Sequence, residues 1–238
     1  EIGSGLVGSE MCIRDRNDIE LKKVTLTFQT KTQKIPIFRD LNLSFSKGEF
    51  VTVYGPSGKG KSTLLNLVSG FVRPSSGSVI VDGSDLGEMT EAKRSEFRNK
   101  RIGYIFQTFN LIQQFSVKDN VAVPLLLAGV KKADIQKRVD ALLDVVGMAH
   151  RKAEYPRTLS GGEQQRVAFA RAIANEPDII LADEPTGNLD TANGQHLIRL
   201  IKGLNEEKGV TVLCVSHDER IIAQGSRLIN IEEITCAE

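Results

Sequence analysis

Nine residues, GPSGKGKST from Gly55 to Thr63, crowd three glycines and two lysines directly behind the apolar run FVTVY. Gly55 to Ser62 satisfies GxxxxGK[ST], and the strand-like run before it and the helix-like run after it are the context that the pattern requires. Gly55, Gly58 and Gly60 let the backbone wrap closely enough for several N–H groups to point at one anion. The start of the following helix adds about half a positive charge there. The chemistry is the holding of phosphate, with Pro56, Ser57, Lys59 and Thr63 completing the loop. In this pattern Lys61 reaches the β- and γ-phosphates, and the Ser62 hydroxyl is one ligand of Mg²⁺. The competing reading is a glycine-rich turn without a ligand.

Two further stretches carry groups that suit such a loop. IILADEP places Asp183 and Glu184 side by side at the end of an apolar strand, where open parallel sheets bind ligands. Successive strand residues point to opposite sides, so one acid can serve a metal while the next faces an attacking water. A solvated turn is the alternative for an isolated acidic pair. LSGGEQQRVAFARAIA begins with Ser160 as a candidate N-cap and has Glu163 three residues on, a capping box ahead of an amphipathic helix. Gly161 and Gly162 leave the first N–H groups of that helix open to an approaching anion.

These groups need rigid elements to carry them. IELKKVTLTF and LNLSF read as an early antiparallel pair, and FVTVY as a strand buried on both faces. STLLNLVSG spaces Leu64, Leu67 and Val68 for a helix that Gly70 can stop. Short apolar runs follow at SVIVD, IGYIF, DIILAD and VTVLCVSHD, the last three divided by helical stretches, as a parallel sheet with crossovers requires. Between Thr108 and Thr158 the strand signal stops. There VKDNVAVPLLLAG and ADIQKRVDALLDVVGM read as two helices, the second with Ile135, Val139, Leu142, Leu143 and Val146 on one stripe. This region is expected to be an inserted helical lobe.

Composition narrows the function classes. Thirty-one basic against thirty acidic residues leave a net charge of +1, so no global field draws the chain to nucleic acid or an anionic membrane. The basic stretch KRSEFRNKR, residues 93–101, is interrupted by Glu96, lacks aromatic interleaving and is expected to be a solvated helix face. Three cysteines, Cys12, Cys214 and Cys236, are odd in number and widely spaced, which argues against a disulfide framework or a zinc site. The longest apolar run, VAVPLLLAGV, is shorter than the roughly 20 residues of a spanning helix. Residues 1–16 show no periodicity, and GSEMCIRDR looks like translated sequencing adapter, so the native protein is expected to start near Asn17.

LSGGEQQR directly upstream of IILADEP, with a phosphate loop about a hundred residues earlier, resembles the nucleotide-binding subunit of ABC transporters over roughly residues 19–231. The resemblance implies an α/β, P-loop NTPase fold: a mostly parallel core sheet, an N-terminal antiparallel β subdomain and a helical lobe at about 108–158, in one ATP-binding domain over 17–238. It implies ATP and Mg²⁺ as ligands. It makes Glu184 the general base, and Gln107 in YIFQTFNL a sensor of Mg²⁺ and the γ-phosphate. Asp183 is its further metal ligand. His217 in VSHD becomes the group that contacts the γ-phosphate and positions water; from its own surroundings it reads only as a histidine at a strand end. Asp190 in GNLD would cross to an opposing subunit.

Phe28 matches an adenine-stacking position, with a buried core Phe as its rival reading. Lys59 stands where the family has a small residue, either facing solvent or making an extra phosphate contact. A head-to-tail homodimer follows from the resemblance, each phosphate loop meeting the partner's Ser160–Glu163 turn across ATP. So does a separate integral membrane permease, which would hold the chain on the cytoplasmic face of the cell membrane with no nucleic acid involved. FQTFNLIQQFSVKDNVAVPLLLAG and ADEPTGNLD look most like the lipoprotein-releasing and macrolide-export branch. A regulatory ATPase that controls a membrane partner in cell division, and a DNA-repair or chromosome ATPase, share the nucleotide motifs.

Overall fold

A computed structural model describes residues 17–29 and 33–235; the expectation for the first sixteen residues, and Cys12 and Cys236, lie outside them. Two sheets divide the strands. The first is antiparallel: β1 (Asn17–Gln29) lies between β2 (Lys34–Ser46) and β4 (Ser76–Val81), and the two-residue β5 (Ser84–Asp85) extends β4. β2 is far longer than LNLSF because KIPIFRD continues the pairing with β1. SVIVD joins this sheet rather than the parallel one. Phe38 and Phe45 of β2 are fully buried, each removal from water contributing roughly 1.5–3 kcal/mol.

The second sheet is parallel. Its order is β6 (Ile102–Ile105), β7 (Ile179–Asp183), β8 (Thr211–Val215), β3 (Phe50–Tyr54), β9 (Arg227–Asn230). Every residue of β8 is buried, as are Phe50–Val53 and Ile179–Ala182. Continuous apolar strands of this kind are read as buried on both faces, and they are. Because all five run the same way, the residues following each strand gather on one edge.

Helices cover both faces. α1 (Lys61–Val68) buries Leu64, Leu65, Leu67 and Val68 in the cluster shared by the two sheets. On the far face α5 (Gly161–Ala172) and α6 (Thr191–Lys208) pack with α3 (Val117–Leu127) and α4 (Lys132–Val145) into a second cluster. In α4 the stripe buries Ile135, Val139 and Leu143, with Val146 just beyond and Leu142 half-buried. The free thiol of Cys214 is buried in β8, and burial pushes its pKa up.

α2 (Glu91–Arg101) corrects one expectation, since the basic stretch is not wholly solvated. Arg94 is buried, donating to the Leu86 carbonyl and pairing with Glu91, and the Arg98 guanidinium sits 4.6 Å from the centre of the Phe71 ring. Long basic side chains lay their stems and flat heads on apolar surface, so a charge run on one helix face is not proof of solvation.

The segment between β6 and α3 is fastened by one buried amide. Asn120 Nδ2 donates to the carbonyls of Ile112, Phe115 and Ser116, all at 3.1 Å, and its Oδ1 accepts from Ile112 N at 2.8 Å. Pro124 sits inside α3, and its carbonyl accepts from the Asn99 and Asn175 side chains as well as from Ala128 N. Among the described residues no helix is long and apolar enough to cross a membrane.

Candidate functional site

The phosphate loop occupies the turn from β3 to α1. Gly55, Gly58 and Gly60 have φ of 129°, 79° and 94°. A Cβ at Gly55 would come within 2.7 Å of Ile231, and one at Gly60 within 2.9 Å of Ile37, so both conformation and space require glycine there. Gly60 caps α1 without any side-chain hydrogen bond, which leaves the first amides of the helix unfilled by the chain itself. Lys61 is largely buried, its Nζ donating to Gly55 O at 2.8 Å and Pro56 O at 2.9 Å. Pro56, Ser57 and Gly58 are exposed, Lys59 is half-buried and Thr63 lies in the first turn of α1.

The acid pair meets this loop. Ser62 Oγ donates to Asp183 Oδ1 at 3.0 Å, across 121 residues of sequence. Burial, and next the charge of Glu184, push the Asp183 carboxyl above its usual range, the Ser62 hydrogen bond opposing them. Glu184 has φ 43°, in the left-handed region, and its N–H donates to Val215 O at 2.9 Å. A non-glycine residue held there is strained, and the two neighbouring carboxylates meet different partners, Asp183 reaching Ser62 and Glu184 reaching His217. His217 Nδ1 lies 2.9 Å from Glu184 Oε2, and the His217 N–H donates to the same oxygen at 3.4 Å. The imidazole is 74% exposed while the Glu184 carboxylate is 14% exposed, so the pair closes the edge between β7 and β8.

Gln107 follows β6 on the same edge. It is exposed, and its backbone carbonyl accepts from Asn188 Nδ2 at 2.8 Å, which ties this loop to the turn after the acid pair. Ser160 caps α5 with a full reciprocal box: its N and Oγ donate to Glu163 Oε2 at 2.8 and 2.9 Å, and Glu163 N donates back to Oγ at 3.4 Å. The backbone hydrogen bond from Ser160 is the main cause that holds Glu163 below the usual carboxylate range. Gly161 has ordinary clearance, whereas a Cβ at Gly162 would meet the Asn193 amide at 2.4 Å.

Asp190 caps α6, accepting from Asn193 N at 2.9 Å and Asn193 Nδ2 at 2.7 Å. Those two bonds keep its carboxyl low. Phe28 lies near the end of β1 and is 40% exposed, which excludes the buried-core reading and leaves a ring face accessible. The structure therefore gathers Gly55–Thr63, Gln107, Asp183, Glu184 and His217 along the carboxyl edge of the parallel sheet. Ser160–Glu163 and Asp190 belong to the neighbouring starts of α5 and α6.

Sequence reasoning missed several residues that support these groups. Arg166 donates to Asn193 Oδ1 at 2.8 Å, Gln165 to Pro185 O at 3.0 Å, and Thr186 to Asp218 at 2.7 Å. Gln165 and Thr186 are buried polar residues. A polar position on the apolar stripe of the α5 sequence is the signal that marks Gln165 beforehand.

The family model described as ABC transporter matches residues 38–187. The lipoprotein-releasing system ATP-binding protein LolD 1 of Chlorobium chlorochromatii is 42% identical over 92% of this chain and 86% of its own length. The methionine import ATP-binding protein MetN of Aliivibrio fischeri is 44% identical over 86% of this chain and 59% of its own. The dimeric, ADP- and Pi-bound structure of the ATP-binding cassette MJ0796 superposes with a TM-score of 0.84 at 38% identity, covering 89% of this chain and 93% of that one. On the match of motif order, fold and sequence, the chain belongs to the ABC transporter family, as one of its ATP-hydrolysing cassettes.

Proposed function

We propose that two copies of the chain, arranged head to tail, close on two ATP molecules and that their hydrolysis drives a separate integral membrane permease. The observation that carries this reading is the 3.0 Å hydrogen bond from Ser62 to Asp183, which joins the phosphate loop to the acid pair. A hydroxyl and a half-buried carboxylate converging there form a hard oxygen donor set suited to Mg²⁺. Among the described residues no cluster of three or more His, Cys, Asp or Glu is arranged to hold a metal, and Mg²⁺ takes one or two protein oxygens together with substrate phosphates. Ser62, Asp183 and Gln107 are the residues that would hold it. When bound it neutralises developing charge between the β- and γ-phosphates.

The chain's own groups divide the remaining work. Backbone amides of Gly55–Thr63 and Lys61 bind the phosphates, with Lys59 at the loop's edge, and Phe28 offers its exposed ring to adenine. Glu184 orients water for in-line attack and takes its proton, and His217, in contact with that carboxylate, fixes its direction. The partner's Ser160 turn and Asp190 complete the γ-phosphate side, adding donors that Lys61 alone lacks. The domain division proposed is a core over 17–238 with an inserted helical lobe at about 108–158. A permease helix would lie along the surface near Gln107–Leu125, and docking there would hold the chain at the cytoplasmic membrane face.

We read the output as export or extraction of a lipoprotein, lipid, peptide or drug. The stretches FQTFNLIQQF and ADEPTGNLD and the LolD relative support it; the importer of similar identity shows that the cassette alone leaves direction open. Glu184→Gln tests the chemistry: ATP binding and an ATP-dependent dimer on size exclusion persist, while turnover falls by about 10²–10⁴-fold. Undiminished hydrolysis removes Glu184 from the role. Co-purification and identification of the membrane partner tests the output, and a partner that recruits cell-wall hydrolases without moving cargo refutes export.

A further inference from the structure

Between His217 and the first turn of α6 lies a cluster to which the chemistry above gives no part. Asp218 Oδ1 accepts from Arg220 N and Nε, both at 2.9 Å, and Oδ2 accepts from Arg220 Nη2 at 2.6 Å and from Thr186 Oγ1 at 2.7 Å. The other arm of the same guanidinium, Nη1, donates to the Thr191 carbonyl at 3.1 Å. Three loops therefore end on one ion pair. Thr186 belongs to the turn after Glu184, Asp218 follows His217, and Thr191 follows Asp190.

The guanidinium lies flat against α6 because residue 194 has no side chain. A Cβ at Gly194 would come within 3.1 Å of Nη2 and 3.3 Å of Nη1. Asp218 also caps the four-residue α7 (Glu219–Ile222), but a cap needs only the bond from Arg220 N. The additional bonds from Arg220 and Thr186 go beyond that need. Bidentate Arg–carboxylate pairs are strong and fix direction as well as distance. A clamp of this kind holds the loops in one register rather than merely near one another.

We propose that Arg220, through Asp218 and the Thr191 carbonyl, is a positioning residue that locks the loop of His217 to the turn of Asp190. The occupancy of a chain's own γ-phosphate site is thereby passed to the turn that faces its partner. This rests on the roles proposed above for His217 and Asp190. Nucleotide contacts lie outside the clamp, so loss of the clamp acts on turnover and spares binding.

The test is steady-state ATP hydrolysis by the full chain, with melting temperature and ATP affinity measured on the same samples. Arg220→Ala lowers kcat by about tenfold with KM within about twofold, and Arg220→Lys, which keeps one charged donor, recovers part of the loss. Gly194→Ala serves if Arg220→Ala folds poorly. Alanine favours a helix interior, so its melting temperature holds or rises, yet its Cβ displaces the guanidinium and kcat falls about threefold. Values of kcat within twofold of wild type in both variants, or losses that track only the folded fraction, overturn the clamp alone. A wild-type chain that binds no adenine nucleotide overturns the clamp and the reading of the site together.

Discussion

The helices α1 and α5 both begin at the edge where triphosphate is proposed to bind, and they are finished in opposite ways. α1 starts behind a left-handed Gly60 with no side chain capping it, whereas α5 starts behind Ser160 with Glu163 closing the box. An uncapped start exchanges only water for phosphate. A capped start has already committed one amide, that of Glu163, and keeps only those of Gly161 and Gly162 for an anion. On the proposed arrangement the affinity of a single chain for nucleotide would reside in α1. α5 would contribute once a second copy brings the γ-phosphate to Gly161 and Gly162.

The largest effect expected from this contrast is on α1. Lys61→Ala should weaken ATP binding by about a hundredfold, as loss of a charge-assisted phosphate contact does; a titration that stays within threefold breaks the comparison at its base. Next comes Gly162→Ala, whose Cβ would strike Asn193 and cost about 1–3 kcal/mol by overpacking, read by urea denaturation. Gly161→Ala, with ordinary clearance, should be close to neutral in the same measurement.

Ser160→Ala then sharpens the contrast. It should leave single-chain affinity for ATP unchanged, lower turnover about tenfold and reduce stability by about 1 kcal/mol through the lost cap. A parallel fall in single-chain affinity would show that α5 is not held in reserve. The smallest effect concerns acid stability at the end of β8. Arg220 and Thr186 hold the Asp218 carboxyl down to about 2, below its unfolded value, so its contribution is full above about pH 4 and fades as pH falls through 2. Asp218→Asn should flatten that part of the melting-temperature profile, and an unchanged slope would show that other carboxylates set it.

How much of this was legible beforehand depends on whether a residue's task is local. The phosphate loop, α1 and the Ser160–Glu163 box follow from neighbours within one turn, and the structure has them where the pattern puts them. LNLSF covers only the second part of β2; the KIPIFRD ahead of it carries a proline and three charges, yet an edge strand tolerates both when its partner supplies the apolar face. Arg94 read as solvated because a charge run gives no hint that the Leu86 carbonyl waits beneath it. The clamp of Thr186, Asp218 and Arg220 was invisible for the same reason. Its members are ordinary polar residues; the Asp218–Arg220 pair is local, but only the fold brings Thr186 and Thr191 to it.

The ammonium of Lys61, resting on the carbonyls of Gly55 and Pro56, has a consequence for how firmly the loop is held. One cation thereby ties together the two carbonyls at the start of the loop. A turn fastened at its first two residues by an internal ion–dipole contact should resist proteolytic nicking, and Lys61→Met should make it easier to cut.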